Sequence, residues 1–185
     1  DIQVPPINTS NIEVFSKGKP QMTWTGQRFK KNGFQQATYV VSRGDDVDQY
    51  KKVTGCSVVV ADTSFNLASK RQWAVDHLTT PSNPWLLFLE DNIVHVTGVV
   101  KEEFEKEEIW PTSRSIYHSR EISPQEVIGC MTQDIKYADR LGAFYGGFAC
   151  NDNHFFRSRK YRTVAFVWTK MGYCKRGGPQ WPSYL

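Results

Sequence analysis

Apolar and polar positions along the first half of the chain predict strands and helices in alternation. Short runs of β-branched, aromatic or leucine side chains predict four strands, at 12–15, 37–41, 56–62 and 85–89. Helical spacing of apolar residues between them predicts helices at 21–33, 47–53 and 65–78. Trp24 and Phe29 are expected on one face of the first helix. The run 56–62 is almost continuously apolar, which predicts a strand buried on both faces.

This alternation is typical of an α/β fold with a mostly parallel sheet and helices on both faces. In such sheets, ligands bind beyond the carboxyl ends of the strands. All four predicted strands end in polar residues, around Ser16–Gly18, Ser42–Asp45, Asp62 and Glu90–Asn92. We therefore expect a binding site where these ends meet.

The second half of the chain is less regular. Ser123, Pro124 and Glu126 form a strong helix start, and that helix is expected to run to Leu141 and stop at Gly142. A glycine-flanked loop is predicted over 146–154 and a late strand over 161–168. The expected organisation is an arm at 1–10, a regular α/β half at 11–95 and a second half at 96–185, with truncation at the C-terminus left open.

Composition narrows the class of protein. A chain of 185 residues with 39% hydrophobic and 23% charged residues fits one globular domain that buries its own core. No window is apolar enough to span a membrane, and no membrane partner is expected. Net charge is +4, with an acidic run at 101–108 and no acidic residue after 154. That basic end fits either a phosphate-bearing partner or a solvated face.

The four cysteines are far apart and include no C-x-x-C pair, which makes a zinc site improbable. Cys56 and Cys150 lie among apolar or small residues and are expected to be buried thiols. This favours a reducing, intracellular location, nuclear or cytoplasmic, although an even count leaves disulfides open.

Adjacent carboxylates at the end of a buried strand are the first candidate for chemistry. Glu90 and Asp91 would repel each other, and a divalent cation with oxygen ligands would relieve that repulsion. The amide oxygen of Asn92 completes a potential ligand set for Mn²⁺ or Mg²⁺. In the alternative interpretation, Glu90 and Asp91 cap a loop and are solvated.

Charged residues near the other strand ends have two interpretations each. Lys70 and Arg71 lie on the helix before the fourth strand, where a cation could reach phosphate oxygens; for Lys70, an exposed surface position is preferred. Asp45 and Asp62 could accept hydrogen bonds from a ribose or a base, or could cap helices.

In their order along the chain, these residues resemble a known family. Ser-Lys-Gly-Lys-Pro at 16–20, Val-Val-Ala-Asp at 59–62, Arg71-Gln72-Trp73 and Trp-Leu-Leu-Phe-Leu-Glu-Asp-Asn at 85–92 look like a GT-A glycosyltransferase. More narrowly, they are similar to the TET/JBP-associated glycosyltransferases. That family includes phage and kinetoplastid enzymes that glycosylate hydroxymethylated pyrimidines in DNA. It also includes a vertebrate growth regulator to which protein N-acetylglucosamine transfer is attributed.

The resemblance implies a layout for a UDP-sugar donor, with a nucleotide-sugar-binding half at 11–95 and an acceptor-side half at 96–185. Ser16, Lys17 and Gly18 would line the nucleotide, and Asp45 and Asp62 would lie near the uracil or ribose. It also implies that Arg71 touches the diphosphate.

The resemblance further implies an acidic metal-binding triplet at Glu90, Asp91 and Asn92. Asn92 departs from the family pattern, which ends in Asp, and a neutral amide is a weaker metal ligand. A general base would take the proton of the acceptor hydroxyl. Asp152 is the candidate for that base, with a turn as the alternative for 151–153. The base could also lie in a missing C-terminal part or be absent.

The resulting hypothesis is a glycosyltransferase that moves a sugar from a UDP-sugar to a hydroxyl. Serine or threonine of a protein is slightly favoured as acceptor over a hydroxymethylated DNA base. The alternative is a catalytically degenerate domain that binds a nucleotide or a partner protein. A nucleotidyltransferase ranks third, because only one glycine stands in the loop at 16–20.

Overall fold

A computed structural model of the chain describes residues 11–62, 66–101, 117–148 and 170–179. The strands are β1 (Ile12–Phe15), β2 (Thr38–Ser42), β3 (Ser57–Ala61), β4 (Trp85–Glu90), β5 (Thr97–Lys101), β6 (Tyr117–Glu121), β7 (Tyr145–Gly147) and β8 (Met171–Lys175). The helices are α1 (Trp24–Lys31), α2 (Val47–Thr54), α3 (Leu67–Leu78) and α4 (Pro124–Arg140), with a 3-10 turn at Pro20–Met22 before α1.

Six of the strands form one sheet in the order β3-β2-β1-β4-β8-β7. The first four strands of the chain are parallel to one another, whereas β8 runs antiparallel to both β4 and β7. The predicted α/β fold is confirmed, but the sheet is mixed. β8 joins the sheet beside β4, so strands from both halves of the chain share one sheet.

Helices cover both faces of the sheet, as predicted. On one face, Phe29 of α1, Tyr50 of α2 and Ile128 of α4 pack against β1, β2 and β4. On the other face, Ala74 and Val75 of α3 pack against β1, β2, β4 and β8. Strands β1 and β4 lie at the centre of the sheet and are buried along almost their whole length.

The helix boundaries follow the capping signals of the sequence. The side chains of Asp46 and Asn66 accept the first-turn backbone N–H groups of α2 and α3. Ser123 and Glu126 form a reciprocal capping box at α4. Gly55 ends α2 with a φ of 73°, a left-handed conformation in which a Cβ would be strained.

Two expectations about burial were wrong. β3 is an edge strand, and Val60 within it is 41% exposed; its apolar run does not place it inside the sheet. Trp24 is half-exposed, whereas Phe29 is buried. Five residues turn a helix by about 500°, so these two side chains point in directions about 140° apart.

The second half contains strands that the sequence pattern did not predict. β7 occupies part of the segment expected to be loop, and β8 was not expected at all. Gly146 and Gly172 allow these strands to pair: a Cβ at Gly146 would overlap the Tyr173 ring, and one at Gly172 would overlap the Gly146 carbonyl oxygen. β5 and β6 form a separate two-stranded antiparallel ladder. The predicted arm at 1–10 and the late strand at 161–168 lie outside the described residues.

Candidate functional site

A cavity of about 310 Å³ opens at the carboxyl ends of β1 and β4. The chain proceeds outward from β1 to β2 and β3 and then returns to β4, so the strand order reverses between β1 and β4. A parallel sheet leaves a crevice at such a reversal, and ligands of α/β proteins bind there. The cavity is lined by Phe15, Ser16, Lys17, Lys19, Ser42, Asn66, Leu67, Lys70, Glu90 and Asp91.

A chain of hydroxyl groups and a carboxylate crosses the base of this cavity. The Ser16 hydroxyl donates to Asp91 Oδ2 at 2.5 Å and lies 2.8 Å from the Tyr50 hydroxyl. Because the single Ser16 hydrogen is directed to Asp91, Tyr50 donates to Ser16. The backbone N–H of Lys19 donates to the Tyr50 oxygen at 3.3 Å. The loop after β1 is thereby tied to α2 and to the end of β4.

The start of α1 fixes the loop that carries Asp91. The Thr25 backbone N–H donates to the Asp91 carbonyl oxygen at 3.1 Å. The Thr25 hydroxyl donates to the Glu90 carbonyl oxygen at 2.6 Å and accepts from the Ile93 N–H at 3.0 Å. Thr25 therefore holds the backbone before, at and after Asp91, and the Asp91 residue lines the cavity.

Asp45 connects the loops that follow β1 and β2. Its Oδ1 accepts the Gly18 N–H at 2.8 Å, and its Oδ2 accepts the Ser42 N–H at 2.7 Å. Gly18 has a φ of 67°, which favours glycine at this turn. Asp45 is not among the cavity-lining residues. It shapes the rim by holding two loops together, whereas the sequence predicted contact with a base or ribose.

Lys70 lies under the same loop. Its side chain is 6% exposed, and its ammonium donates to the Ser16 carbonyl oxygen at 2.6 Å. The preferred interpretation of Lys70 as a surface residue was wrong. Burial lowers the pKa of Lys70, and this effect is opposed by the charges of Asp45 and Asp91.

Arg71, the next residue, faces the sheet instead of the cavity. Its guanidinium lies 4.3 Å from the Phe88 ring centre and 3.4 Å from Glu90 Oε1, and the side chain is 3% exposed. Burial raises the pKa of Glu90, while the nearby Arg71 opposes that rise. Arg71 is not among the cavity-lining residues, so it reaches the site only through Glu90.

Two of the predicted site residues lie away from the cavity. Asp62 forms an ion pair with Arg43 at the outer end of β3, and both side chains are largely exposed. Asn92 is exposed and does not line the cavity. The structure thus gathers Ser16, Lys17 and Asp91 at one site, places Asp45 and Arg71 beside it, and leaves Asp62 outside.

The three residues of the predicted metal triplet point in different directions. Glu90 turns to Arg71, Asp91 turns to Ser16, and Asn92 faces solvent. In the described part of the chain, no three His, Cys, Asp or Glu residues cluster closely enough to hold a metal ion alone. Glu90 and Asp91 both line the cavity, and carboxylate oxygens are the ligands that Mg²⁺ prefers in proteins.

Several positively charged groups at the cavity are suited to binding an anion. Lys17, Lys19 and Lys70 line it, and Asn66 and Leu67 place the N-terminus of α3 at its wall. A helix N-terminus carries partial positive charge and free N–H groups, and it favours phosphate. The two carboxylates at the wall already have partners in Arg71 and Ser16.

The sequence suggested no role for the supporting residue Tyr50 or for the lining residues Asn66 and Leu67, and it favoured a surface position for Lys70. For Asn66 a signal existed, because Asn followed by a helical pattern predicts an N-cap at the carboxyl edge of the sheet. For Lys70 none existed, since helical spacing alone cannot tell a cavity from solvent. Asp152 and the neighbouring His154 lie outside the described residues.

Cys56 and Cys174 are buried, as was expected for Cys56, and Cys130 is exposed. Cys150 lies outside the described residues. Within the described ranges, no helix combines the length and the apolar character needed to cross a bilayer.

No protein-family model matches the chain, and a search of curated proteins finds no significant match. The resemblance to the TET/JBP-associated glycosyltransferases therefore stays a prediction from the sequence.

Proposed function

We propose that the chain is a glycosyltransferase that binds a UDP-sugar in the cavity between β1 and β4. The observation that carries this proposal is the cavity itself. It lies at the reversal of strand order and combines three lysines with the N-terminus of a 12-residue helix. Lysines and helix N–H groups are the donors that bind phosphate oxygens.

The volume of the cavity also supports a nucleotide-sized ligand. About 310 Å³ lies at the lower end of the range of small-molecule sites. Its wall includes the apolar side chains Phe15 and Leu67 beside polar ones, a mixture suited to a ring with a charged tail. The base or sugar would lie against the apolar part, and the diphosphate against the lysines.

In group transfer, the candidate residues would have different roles. Lys17 and Lys70 would stabilise the negative charge that grows on the departing diphosphate. Asp91, with Glu90 beside it, would hold a divalent cation, and such a cation would supply Lewis-acid polarisation of the sugar–phosphate bond. Asp152 stays the candidate for the base that accepts the proton of the attacking hydroxyl.

The choice of acceptor rests on the sequence alone. A protein serine or threonine hydroxyl is the first acceptor to test, and a hydroxymethylated base in DNA is the second.

A second candidate function is a nucleotide-binding module that performs no transfer. The observation that favours it is the dispersal of the predicted metal triplet. Glu90 is paired with Arg71, Asp91 accepts from Ser16, and Asn92 faces solvent. Such a domain would bind UDP without cleaving a UDP-sugar.

Titration calorimetry with UDP and UDP-sugars, with and without Mn²⁺, separates these functions when combined with an assay for released UDP. Binding that strengthens with Mn²⁺, together with UDP release from a UDP-sugar, supports the transferase. Binding without UDP release over many hours, in the presence of protein and DNA acceptors, supports the module. Absence of binding at millimolar nucleotide contradicts both.

A further inference from the structure

Lys70 and Arg71 are adjacent cations on α3, but the helix directs them to different places. Lys70 lines the cavity, and Arg71 lies against Phe88 on the sheet. Successive residues of a helix are separated by about 100° around its axis, so a diphosphate in the cavity meets the first of them. The residue that the family resemblance assigns to the diphosphate is thus on the wrong side of the helix.

The charge of Lys70 is incompletely compensated in the described part of the chain. Its ammonium has one hydrogen bond there, to the Ser16 carbonyl oxygen, although an ammonium carries three donors. No carboxylate among the described residues lies within ion-pair distance of it. Burying a charge in this state is unfavourable, and an anion in the cavity would offset that cost.

The other two lysines of the cavity are less suited to this task. Lys17 and Lys19 are both exposed, so water and salt screen their charges. Lys70 is 6% exposed, and its hydrogen bond to Ser16 fixes its position before any ligand arrives. A buried, preorganised cation gains more from an anion than a mobile surface cation does.

We infer that Lys70 is the main phosphate-binding cation of the cavity and contacts the diphosphate group in place of Arg71. This inference rests on the function proposed above, because it assumes that the cavity takes a nucleoside diphosphate. Lys70 also ties phosphate binding to the β1 loop, since the same ammonium holds the Ser16 carbonyl.

The test measures the affinities of inorganic pyrophosphate, UDP and uridine for four proteins. They are the unmodified chain, Lys70→Met, Lys70→Arg and the control Lys52→Met, in which an exposed lysine in the last turn of α2 is changed. Lys70→Met is expected to weaken pyrophosphate and UDP binding about 10- to 100-fold, because a charge-assisted hydrogen bond is lost. Uridine affinity is expected to be unchanged, Lys70→Arg to recover part of the loss, and Lys52→Met to bind as the unmodified chain does.

Equal UDP affinity of Lys70→Met and the unmodified chain would overturn the inference while leaving the proposed function intact. Binding of pyrophosphate that depends on Lys70, without any binding of UDP, would retain the phosphate site and overturn the proposed function. Absence of binding of both ligands to the unmodified chain would overturn both.

A second measurement needs no variant and covers the case in which Lys70→Met does not fold. Reductive methylation of the unmodified chain is followed by mass spectrometry with and without saturating pyrophosphate. Lys70 is expected to be protected by pyrophosphate at least several-fold, and Lys52 is expected to react equally in both samples. Equal labelling of Lys70 in both samples would contradict the inference.

Discussion

Two arginine–carboxylate pairs lie at the carboxyl ends of parallel strands of the same sheet, and their surroundings differ. Arg43–Asp62 joins the ends of β2 and β3, and its side chains are 78% and 74% exposed. Arg71–Glu90 joins α3 to the end of β4, and its side chains are 3% and 24% exposed. Each pair links residues 19 positions apart, so sequence spacing does not distinguish them.

The two pairs differ in exposure because they lie at different positions relative to the reversal of strand order in the sheet. β3 is the edge of the sheet, and the end of an edge strand faces solvent on one side. β4 is central and lies beside β1 at the reversal of strand order, where the helices on both faces leave a crevice. At the end of the edge strand β3, which is the outer strand end, the charges are therefore screened by solvent. At the end of the central strand β4, which is the inner strand end, charges of the same type are buried. The site belongs to the inner end.

The largest effect is expected at Glu13, a buried carboxyl of the central strand β1. It is 3% exposed, its Oε2 has no hydrogen-bond partner among the described residues, and burial raises its pKa to about 8 from 4.5. The protonated form is thus favoured in the folded state. Stability linked to this group is fully present below pH 4.5 and is lost as the pH rises through 8.

Glu13→Gln is expected to abolish most of that loss, which amounts to at most about 5 kcal/mol at alkaline pH. Urea unfolding between pH 4 and 9 measures it: the unmodified chain should lose stability across this range more steeply than the variant does. The exposed carboxyl variant Asp62→Asn serves as control and should keep the original slope. Parallel pH profiles for Glu13→Gln and the unmodified chain would refute a buried neutral Glu13.

The second-largest effect on stability is expected for the buried pair Arg71–Glu90. Arg71→Met removes the partner of Glu90 and should lower the free energy of unfolding by about 3 kcal/mol, because it leaves a partly buried carboxylate uncompensated. Denaturant unfolding at pH 7 measures the change. The matched variant Arg43→Met, in the exposed pair, should change stability by less than about 0.5 kcal/mol. Equal losses in the two variants would contradict the distinction between the pairs.

A smaller effect is expected at Asp45, which connects the β1 and β2 loops. Asp45→Ala removes the acceptors of two backbone N–H groups and should cost about 2 kcal/mol in the same unfolding assay. Asp45→Asn keeps one acceptor oxygen and should recover about half of the loss. If Asp45→Ala were as stable as the unmodified chain, the two loops would not depend on this bridge.

The smallest effect is expected at Asp62. Asp62→Ala breaks a solvated ion pair, and its unfolding free energy should lie within about 0.5 kcal/mol of the unmodified value. Thermal unfolding at low and high salt provides the measurement. A loss above 1 kcal/mol would show that the outer strand end is more than a screened surface.

The sequence predicted the parallel part of the fold because each of its elements carries a local signal. β-branched runs marked β1 and β2, and the capping residue Ser123 marked the start of α4. It failed where position in the sheet decides the outcome. β3 has the composition of a central strand but lies at the edge, and β7 and β8 pair through glycines whose role depends on the partner strand.

The candidate site was predictable in its location but not in its contacts. The convergence of polar strand ends indicated the edge where Ser16 and Asp91 meet. Which side of α3 faces the cavity could not be obtained from spacing, because Lys70 and Arg71 are both buried and only the three-dimensional packing distinguishes them. For Asp45 the sequence left a ligand contact and a helix cap open, because its hydrogen bonds to two loop amides have no sequence signature.

We expect the nucleotide to bind at the inner strand end and not at the outer one. Calorimetric titration of UDP with Mn²⁺ into Asp91→Ala and Asp62→Ala tests it most directly. UDP affinity is expected to be at least about 10-fold weaker for Asp91→Ala and unchanged for Asp62→Ala, a difference of about 1.4 kcal/mol in binding free energy. Equal UDP affinities of Asp91→Ala and the unmodified chain, or no UDP binding to any of the three proteins, would contradict it.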